Sequence, residues 1–192
     1  MWEVVSRMTA QPPHPHTDDG PAWRLATTED APALVDLIRA AYRGPASYDR
    51  WTSEEHLVGG TRTDAPSVLA AIEADGSAML IVDGEAGRPA GCCRIVNRGD
   101  GLVSFGMFAV DPGRQGDGIG RRIVGWAQEA AVDLLGARTL ELEVLAQQEL
   151  LRAWYERLGF APTGETRAFP AHPEYAVPRR DDLVLIVLAR KI

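Results

Sequence analysis

A turn containing four glycines, between Val110 and Arg121, is the segment whose residue types and spacing best fit a chemical task. An apolar run typical of a strand precedes this turn, and a helical pattern follows it. Glycine lets the backbone approach a ligand closely, and the unpaired N–H groups at the start of a helix point at a bound anion. The segment therefore predicts a phosphate site. The four glycines are Gly113, Gly116, Gly118 and Gly120.

Two common phosphate-binding motifs do not fit this turn. A P-loop has the pattern GxxxxGK[ST], and no Lys followed by Ser or Thr occurs in the sequence. A dinucleotide-binding turn has the pattern GxGxxG. Counted from Gly116 its third glycine position holds Arg121, and counted from Gly118 it holds Ile123. The P-loop reading fails, and the dinucleotide reading fails less decisively.

The elements before the turn are predicted from caps, glycines and apolar periodicity. We expect a strand at residues 22–26, a helix from Thr27 or Thr28 to Gly44, and short helices at 53–58 and from Ala65, the last capped by Asp64. Three apolar runs separated by glycine-rich turns then predict an antiparallel meander. These runs are SAMLIVD, RPAGCCRIVN and LVSFGMFAV.

The elements after the turn return once to a strand and once to a helix before the end of the chain. The pattern predicts a long amphipathic helix from Gly118 to Gly136 and a strand over Thr139 to Leu145. A helix from about Gln148 to Leu158 and a closing strand, DLVLIVLA, follow. The order is that of an α+β fold, without an internal repeat.

Length and composition favour one domain, over residues 22–192, after a flexible leader at residues 1–21. Either Met1 or Met8 could be the start. The sequence has no apolar run of about 20 residues and no signal-like segment, so we expect a cytoplasmic protein without membrane contact. A net charge of −7 without a basic tract argues against nucleic-acid binding.

The cysteines and histidines do not predict a metal site or a disulfide. Cys92 and Cys93 are adjacent in a strand-like run, where their side chains point to opposite faces, so we expect them to be small core residues. The histidines are scattered without a matching cysteine pair, and we predict no metal. They are His14, His16, His56 and His172.

The turn fits the pattern Gln/Arg-x-x-Gly-x-Gly, with Gln115, Gly118 and Gly120 at its fixed positions. In this it closely resembles the GNAT superfamily of acetyltransferases. VDP at residues 110–112 and AWYERLGF at residues 153–160 support the resemblance, which covers roughly residues 23–192. Four shorter segments are similar to a bacterial branch without an assigned substrate. They are AYRG from Ala41, RTD from Arg62, TGET from Thr163 and PRRDDL from Pro178.

The resemblance implies a mixed, mostly antiparallel sheet of six to seven strands flanked by helices, acetyl-CoA as cosubstrate, and direct acetyl transfer to a primary amine. Backbone N–H groups from Gln115 to Arg121 would hold the pyrophosphate. The strand from Met107 to Val110 would pair with the pantetheine arm, and an N–H near Met107 or Phe108 would polarise the thioester. The implied cofactor-binding residues are Phe108, Ala109, Val110, Gln115, Gly116, Asp117, Gly118, Ile119, Gly120 and Arg121.

Two of these residues carry charge. Asp117 is unfavourable beside an anion, so we expect a role in the turn and its backbone alone. Arg121 could add a charge-assisted hydrogen bond, or it could lie on a solvated helix face. For Phe108 only the backbone need be functional, since core packing explains the side chain.

The resemblance also implies a catalytic acid. Tyr155 occupies the position where the superfamily commonly has the tyrosine that protonates the sulfur of coenzyme A. A phenol with a pKa near 10 is matched to a thiolate whose conjugate acid has a pKa of about 8.5. The alternative is packing, because Leu151, Tyr155 and Leu158 share one helix face.

The general base stays open in the sequence. Many relatives have a glutamate on the strand where this chain has Ser104, and a serine at its ordinary pKa is no general base. A water relay, another carboxylate or an amine of low pKa must then serve. Glu141 and Glu143 are candidates, although structural pairing explains both more simply. Gln148, where asparagine is frequent, and Leu151, where a small residue is common, depart from the family in details of coenzyme contact.

The acceptor is expected between the first helices and the C-terminal strands, where Tyr42, Trp51, Trp154 and Phe169 are candidate lining residues. Its identity stays open. Two alternatives to an enzyme are a non-catalytic acyl-CoA sensor on the same scaffold and an interaction module that pairs through an exposed final strand. A homodimer is also possible.

Overall fold

A computed structural model of the protein describes residues 23–44 and 54–192. The predicted leader, residues 1–21, lies outside the described residues. The helices are α1 Ala31–Arg43, α2 Ala65–Glu73, α3 Ile119–Leu135 and α4 Glu149–Arg157. The strands are β1 Trp23–Leu25, β2 Val58–Gly59, β3 Ser77–Asp83, β4 Pro89–Gly99, β5 Leu102–Val110, β6 Thr139–Leu145, β7 Ala161–Ala168, β8 Val177–Pro178 and β9 Val184–Lys191.

Seven of these strands form one sheet in the order β1-β3-β4-β5-β6-β9-β7, and β2 pairs with β8 separately. The β5–β6 pair is parallel, and the other neighbours in the sheet are antiparallel. The helix α3 makes the crossover that a parallel pair requires. This confirms the predicted α+β fold with a mixed, mostly antiparallel sheet.

Helices cover both faces of the sheet and divide the core in two. One cluster packs α1 and α2 against residues such as Met79, Ile81 and Cys92. The other packs α3 and α4 against residues such as Cys93 and Ile95. Cys92 and Cys93 are both buried and free, on opposite faces, which confirms their prediction as core residues.

The structure differs from the element predictions at β2, β7, β9 and the short strand β8, which was not predicted. The helix predicted at 53–58 is wrong: from Glu54 to Leu57 the chain turns, and β2 follows, so the described part contains no helix there. The strand β7 was not predicted, because an exposed edge strand containing Pro162 and Gly164 has no apolar alternation. The hypothesis that the final strand is exposed for pairing is also wrong, since β9 lies between β6 and β7 inside the sheet.

An ion-paired arginine ties the first strand to the first helix. Arg24 on β1 donates to both carboxylate oxygens of Asp30, at 2.8 and 2.7 Å, and to both oxygens of Asp83 at the end of β3, at 2.9 and 3.0 Å. Bidentate arginine–carboxylate geometry is the strong form of this interaction. Hydrogen bonds from Arg24 lower the pKa of Asp30 from 3.8 to about 2.

We expect Asp30→Asn to lower the free energy of unfolding at pH 7 by about 1 kcal/mol, since Arg24 is 41% exposed and solvent screens the pair. Because the pKa is lowered in the folded protein, this stability is present above pH 4 and is lost as the pH falls towards 2. Urea unfolding of both proteins between pH 7 and pH 3 measures it. A difference that stays constant over this range would contradict the assignment.

Candidate active site

The strands β5 and β6 separate partway along their length. They pair only where Leu102 to Ser104 of β5 faces Thr139 to Glu141 of β6. Beyond Ser104, no strand in the described part of the chain pairs with β5 on this side. An extended backbone with unpaired N–H and C=O groups is open to an extended ligand.

A β-bulge lies in the half of β5 that has β4 as a neighbour on one side and no partner strand on the other. Met107 and Phe108 together face Cys93 of β4, and Met107 has a φ of 42°. A bulge leaves one residue without a ladder partner and redirects its backbone groups. The unpaired stretch of β5 therefore contains backbone N–H groups turned away from the regular ladder.

The glycine-rich turn carries β5 into α3. Asp111 opens it by accepting a hydrogen bond from the Gly113 N–H at 2.9 Å. Gly116 has a φ of 107°, and Gly118, the residue before α3, has a φ of 79°. Side chains other than hydrogen are strained in this left-handed region. The glycines thus allow the path that leaves the first N–H groups of α3 free for an anion.

A cavity of about 350 Å³ lies between the end of β5, this turn and α4. It collects eight of the ten residues proposed from the sequence to bind the cofactor: Phe108, Ala109, Val110, Gln115, Gly116, Gly118, Gly120 and Arg121. The other two do not line it. Ile119 is buried in the core, and Asp117 forms an ion pair with Arg114 at 3.3 Å, in keeping with a role in the turn.

Two aromatic rings packed near the start of α3 shape this cavity. The ring of Trp154 stacks on that of Phe108, with centroids 6.0 Å apart and planes 12° apart. A Cβ atom at Gly120 would lie 3.4 Å from the Phe108 ring and 3.6 Å from the Trp154 ring. Glycine at this position therefore lets the start of the helix approach the two aromatic rings.

A second cavity, of about 860 Å³, opens on the face of the sheet that carries Ser104 and Glu141. It shares four lining residues with the first cavity: Tyr42, Phe108, Leu151 and Tyr155. Two molecules bound in the two cavities would meet at these residues. The arrangement fits a reaction that transfers a group from one ligand to another.

Tyr155 lies at this junction with only 5% of its surface exposed. Its ring meets those of Trp154 and Phe160 edge to face, with centroids 4.9 and 5.7 Å apart. Burial, with smaller contributions from Tyr42 and Cys93, raises the pKa of Tyr155 well above 10. The side chain packs in the core, as its helix face predicts, and its phenol stays protonated at neutral pH.

The comparisons with known proteins agree with this geometry. The family described as "Acetyltransferase (GNAT) family" matches residues 33–160. The chain belongs to the GNAT acetyltransferase family. No curated protein matches it.

Three solved structures illustrate the shared fold. A candidate GNAT-family acetyltransferase from Desulfovibrio desulfuricans has 20% identity and a TM-score of 0.64, covering 90% of this chain and 99% of its own. A candidate acetyltransferase from Salmonella typhimurium, solved with its cofactor acetyl-CoA, has 19% identity and a TM-score of 0.64, covering 90% and 94%. The ribosomal-protein-S18-alanine N-acetyltransferase from Escherichia coli has 18% identity and a TM-score of 0.66, covering 90% and 94%.

Tyr42 shapes the junction of this acetyltransferase from α1. Its hydroxyl donates to the Phe108 carbonyl oxygen at 2.8 Å, and the guanidinium of Arg62 lies 4.5 Å from its ring centroid. Burial raises the pKa of Tyr42 above 10. The sequence predicted Tyr42 as an acceptor contact, but the hydrogen bond to the bulge has no sequence signal, because it joins residues 66 positions apart.

Ser104, at the position where a general base is expected, is hydrogen-bonded to an arginine. The Ser104 hydroxyl accepts from the Nε of Arg98 at 2.9 Å. Directly across the parallel pair lies Glu141. Arg167 Nη1 donates to Glu141 at 2.8 Å and to Glu143 at 2.6 Å, which confirms the prediction that both glutamates have a structural partner.

The predicted acceptor contacts divide between the cavities. Tyr42 and Phe169 line the larger one. Trp154 lines the smaller one, where it stacks on Phe108. Trp51 lies outside the described residues.

Residues 23–44 and 54–192 contain no group of three or more His, Cys, Asp or Glu side chains arranged to hold a metal ion. Within the same residues, no helix has both the length and the apolar character needed to cross a bilayer.

Proposed function

We propose that the protein transfers the acetyl group of acetyl-CoA directly to a primary amine while both are bound. The observation that carries this proposal is the junction of the two cavities, where Tyr155 and the bulge of β5 face both of them. Family membership supplies the acetyl donor. The acceptor and the roles of individual residues are our proposal.

The smaller cavity fits coenzyme A by its chemistry. The N–H groups from Gln115 to Arg121 would bind the pyrophosphate, since the start of a helix favours negative charge. Arg121, exposed at the edge of this cavity, would add a charge-assisted hydrogen bond. The edge of β5 from Phe108 to Val110 that faces no partner strand would hydrogen-bond the amides of the pantetheine arm.

Transfer needs four events at the junction. The amine nitrogen forms a bond with the thioester carbon and loses a proton, the carbon–sulfur bond breaks, and the sulfur takes a proton. The N–H groups of Met107 and Phe108 are suited to stabilise the oxyanion that develops on the carbonyl oxygen. Tyr155, protonated at neutral pH, would give its proton to the leaving sulfur.

A covalent acyl-enzyme is disfavoured by the state of the cysteines. Both are fully buried, and burial raises the pKa of the Cys92 thiol to about 12. Burial also raises the pKa of the Cys93 thiol well above its ordinary value. Since the thiolate is the nucleophilic form, neither cysteine is prepared to accept the acetyl group.

Glu141 is our candidate for receiving the proton of the amine, directly or through a water. Its position across from Ser104 brings a carboxylate beside the site where relatives have a glutamate, and it lines the larger cavity. We expect Glu141→Gln to lower kcat/KM about tenfold or more, because the amine would lose its proton acceptor. Rates of thiol release measure this loss.

Glu143→Gln is the matched control, because Glu143 contacts the same arginine two residues further along β6. If only the ion pair with Arg167 matters, the two variants will lose kcat/KM to the same extent. Equal losses of kcat/KM in the two variants would contradict the role of Glu141.

The experiment that tests the proposed function is an acceptor screen with acetyl-CoA, in which free thiol is measured for a panel of primary amines. A non-catalytic sensor would bind acetyl-CoA and release no thiol with any amine. Failure to bind or hydrolyse acetyl-CoA would overturn both readings. The homodimer and the cytoplasmic location stay predictions.

A further inference from the structure

The larger cavity carries an excess of positive charge in an acidic protein. It is lined by five arginines and three glutamates, although the whole chain has a net charge of −7. The three glutamates already have partners. Glu54 lies 3.5 Å from both Arg43 and Arg62, and Glu141 and Glu143 share Arg167.

The two remaining arginines, Arg94 and Arg98, reach towards the same level of the sheet from opposite directions. Both alternate with Val96 on one face of β4. Arg94 Nε donates to Ser77 Oγ at 2.8 Å, and Arg98 Nε donates to Ser104 Oγ at 2.9 Å. Ser77 on β3 and Ser104 on β5 are the two residues that pair with Val96. The guanidinium groups therefore lie on either side of Val96, at the level of that residue.

Within the part of the chain that the structure describes, neither guanidinium has a carboxylate partner. Among residues 23–44 and 54–192, no Asp or Glu oxygen lies within 4.0 Å of Arg94 or Arg98. Burial and the positive charge of Arg98 lower the pKa of Arg94, so the pair is mutually unfavourable as it stands. Each Nε–H already donates to a serine. The terminal N–H groups of both guanidinium groups stay available to bind an anion in the fork geometry of arginine.

The pair lies close to the junction of the cavities. Arg94 is opposite Gly106, the residue before the bulge. A Cβ atom at Gly106 would meet nothing within 4 Å, so the space in front of this position is open. From Gly106 to the level of Ser104 is two residues, or about 7 Å along the strand.

We propose that the acceptor amine carries an anionic group, a carboxylate, phosphonate or phosphate, which Arg94 and Arg98 bind while the amine reaches the bulge of β5. This inference rests on the proposed acetyl transfer. It names the substrate class of the same site and disfavours polyamines, whose additional cations would meet the arginine pair.

Matched amines test the inference in the thiol-release assay. We expect kcat/KM for γ-aminobutyrate and aminopropylphosphonate to exceed that for the neutral γ-aminobutyramide and for spermidine by about tenfold or more. In R98Q and R94Q the ratio of anionic to neutral kcat/KM should fall about tenfold. Because Arg98 is exposed, R98Q keeps the test valid should R94Q fail to fold. R88Q, an equal charge change on the exposed β3–β4 turn, is the control.

The outcomes separate the two proposals. Should neutral or cationic amines react as well as anionic ones, with a ratio that R98Q leaves unchanged, the anionic acceptor is wrong while acetyl transfer stands. Should no amine react, acetyl transfer is wrong, and calorimetric binding of aminopropylphosphonate decides the anion site alone. Binding that R94Q and R98Q abolish supports that site, and absence of binding to the wild-type protein overturns it.

Discussion

Replacing Tyr155 by Phe is expected to lower kcat for thiol release by about 100-fold or more, while acetyl-CoA still binds. The hydroxyl is the only group lost, and the ring keeps its edge-to-face contacts with Trp154 and Phe160. Burial keeps the phenol protonated, so its loss removes the proton that the departing sulfur needs. The sulfur must then leave as a thiolate or take a proton from water in a confined site.

Parallel measurement of thiol release and of acetyl-CoA binding by calorimetry tests this prediction. Tyr175→Phe is the matched control, since Tyr175 lies at the rim of the larger cavity, where its hydroxyl donates to Asp64 at 2.8 Å. We expect it to change kcat far less than Tyr155→Phe. Turnover by Tyr155→Phe at the wild-type rate would exclude Tyr155 as the proton donor and leave it a packing role alone.

Replacing Gly118 by Val is expected to weaken acetyl-CoA binding by about tenfold to 100-fold, through strain and misdirected N–H groups. Gly118 has a φ of 79° and is the residue before α3. A Cβ atom there would meet nothing within 4 Å, so the substitution acts through backbone conformation and not through a clash. A β-branched residue rarely adopts this conformation, and the turn must shift to accept it.

The matched control for Gly118→Val is Gly125→Ala, in the interior of the same helix. A Cβ atom at Gly125 also meets nothing within 4 Å, and this residue lines neither cavity. We expect unchanged acetyl-CoA affinity and a gain of about 0.5–1 kcal/mol in the free energy of unfolding, because alanine favours the helix over glycine. Wild-type affinity in Gly118→Val would exclude the turn as the pyrophosphate site.

The parts of the fold that could be predicted are those whose signal is local. The glycines from Gly113 to Gly120 mark the turn, and the periodicity of α3 and of the meander marks the elements around it, because each pattern reports which face of one element is buried. The edge strand β7 buries almost nothing and has no such pattern. The segment from Glu54 to Leu57 was misread for a similar reason, since its mixture of charged and apolar residues fits one helical turn equally well.

The parts of the site that could not be predicted depend on register. Glu141 stands beside Ser104, and Arg94 and Arg98 flank Val96, only because four neighbouring strands align as they do. Tyr42 meets Phe108, and Trp154 faces the smaller cavity, through packing of helices distant in sequence. No spacing along the chain encodes these contacts. The sequence identifies the coenzyme class, and the juxtaposition of strands suggests the acceptor class.

A crystal structure of the protein with acetyl-CoA tests most directly whether the reacting carbon lies where the two cavities meet. We expect the pyrophosphate within hydrogen-bond distance of the N–H groups from Gln115 to Arg121, and the pantetheine arm in the gap between β5 and β6. The carbonyl oxygen should face the N–H groups of Met107 and Phe108, with the sulfur beside the Tyr155 hydroxyl. Acetyl-CoA bound elsewhere, or with its thioester away from Tyr155, would contradict this assignment.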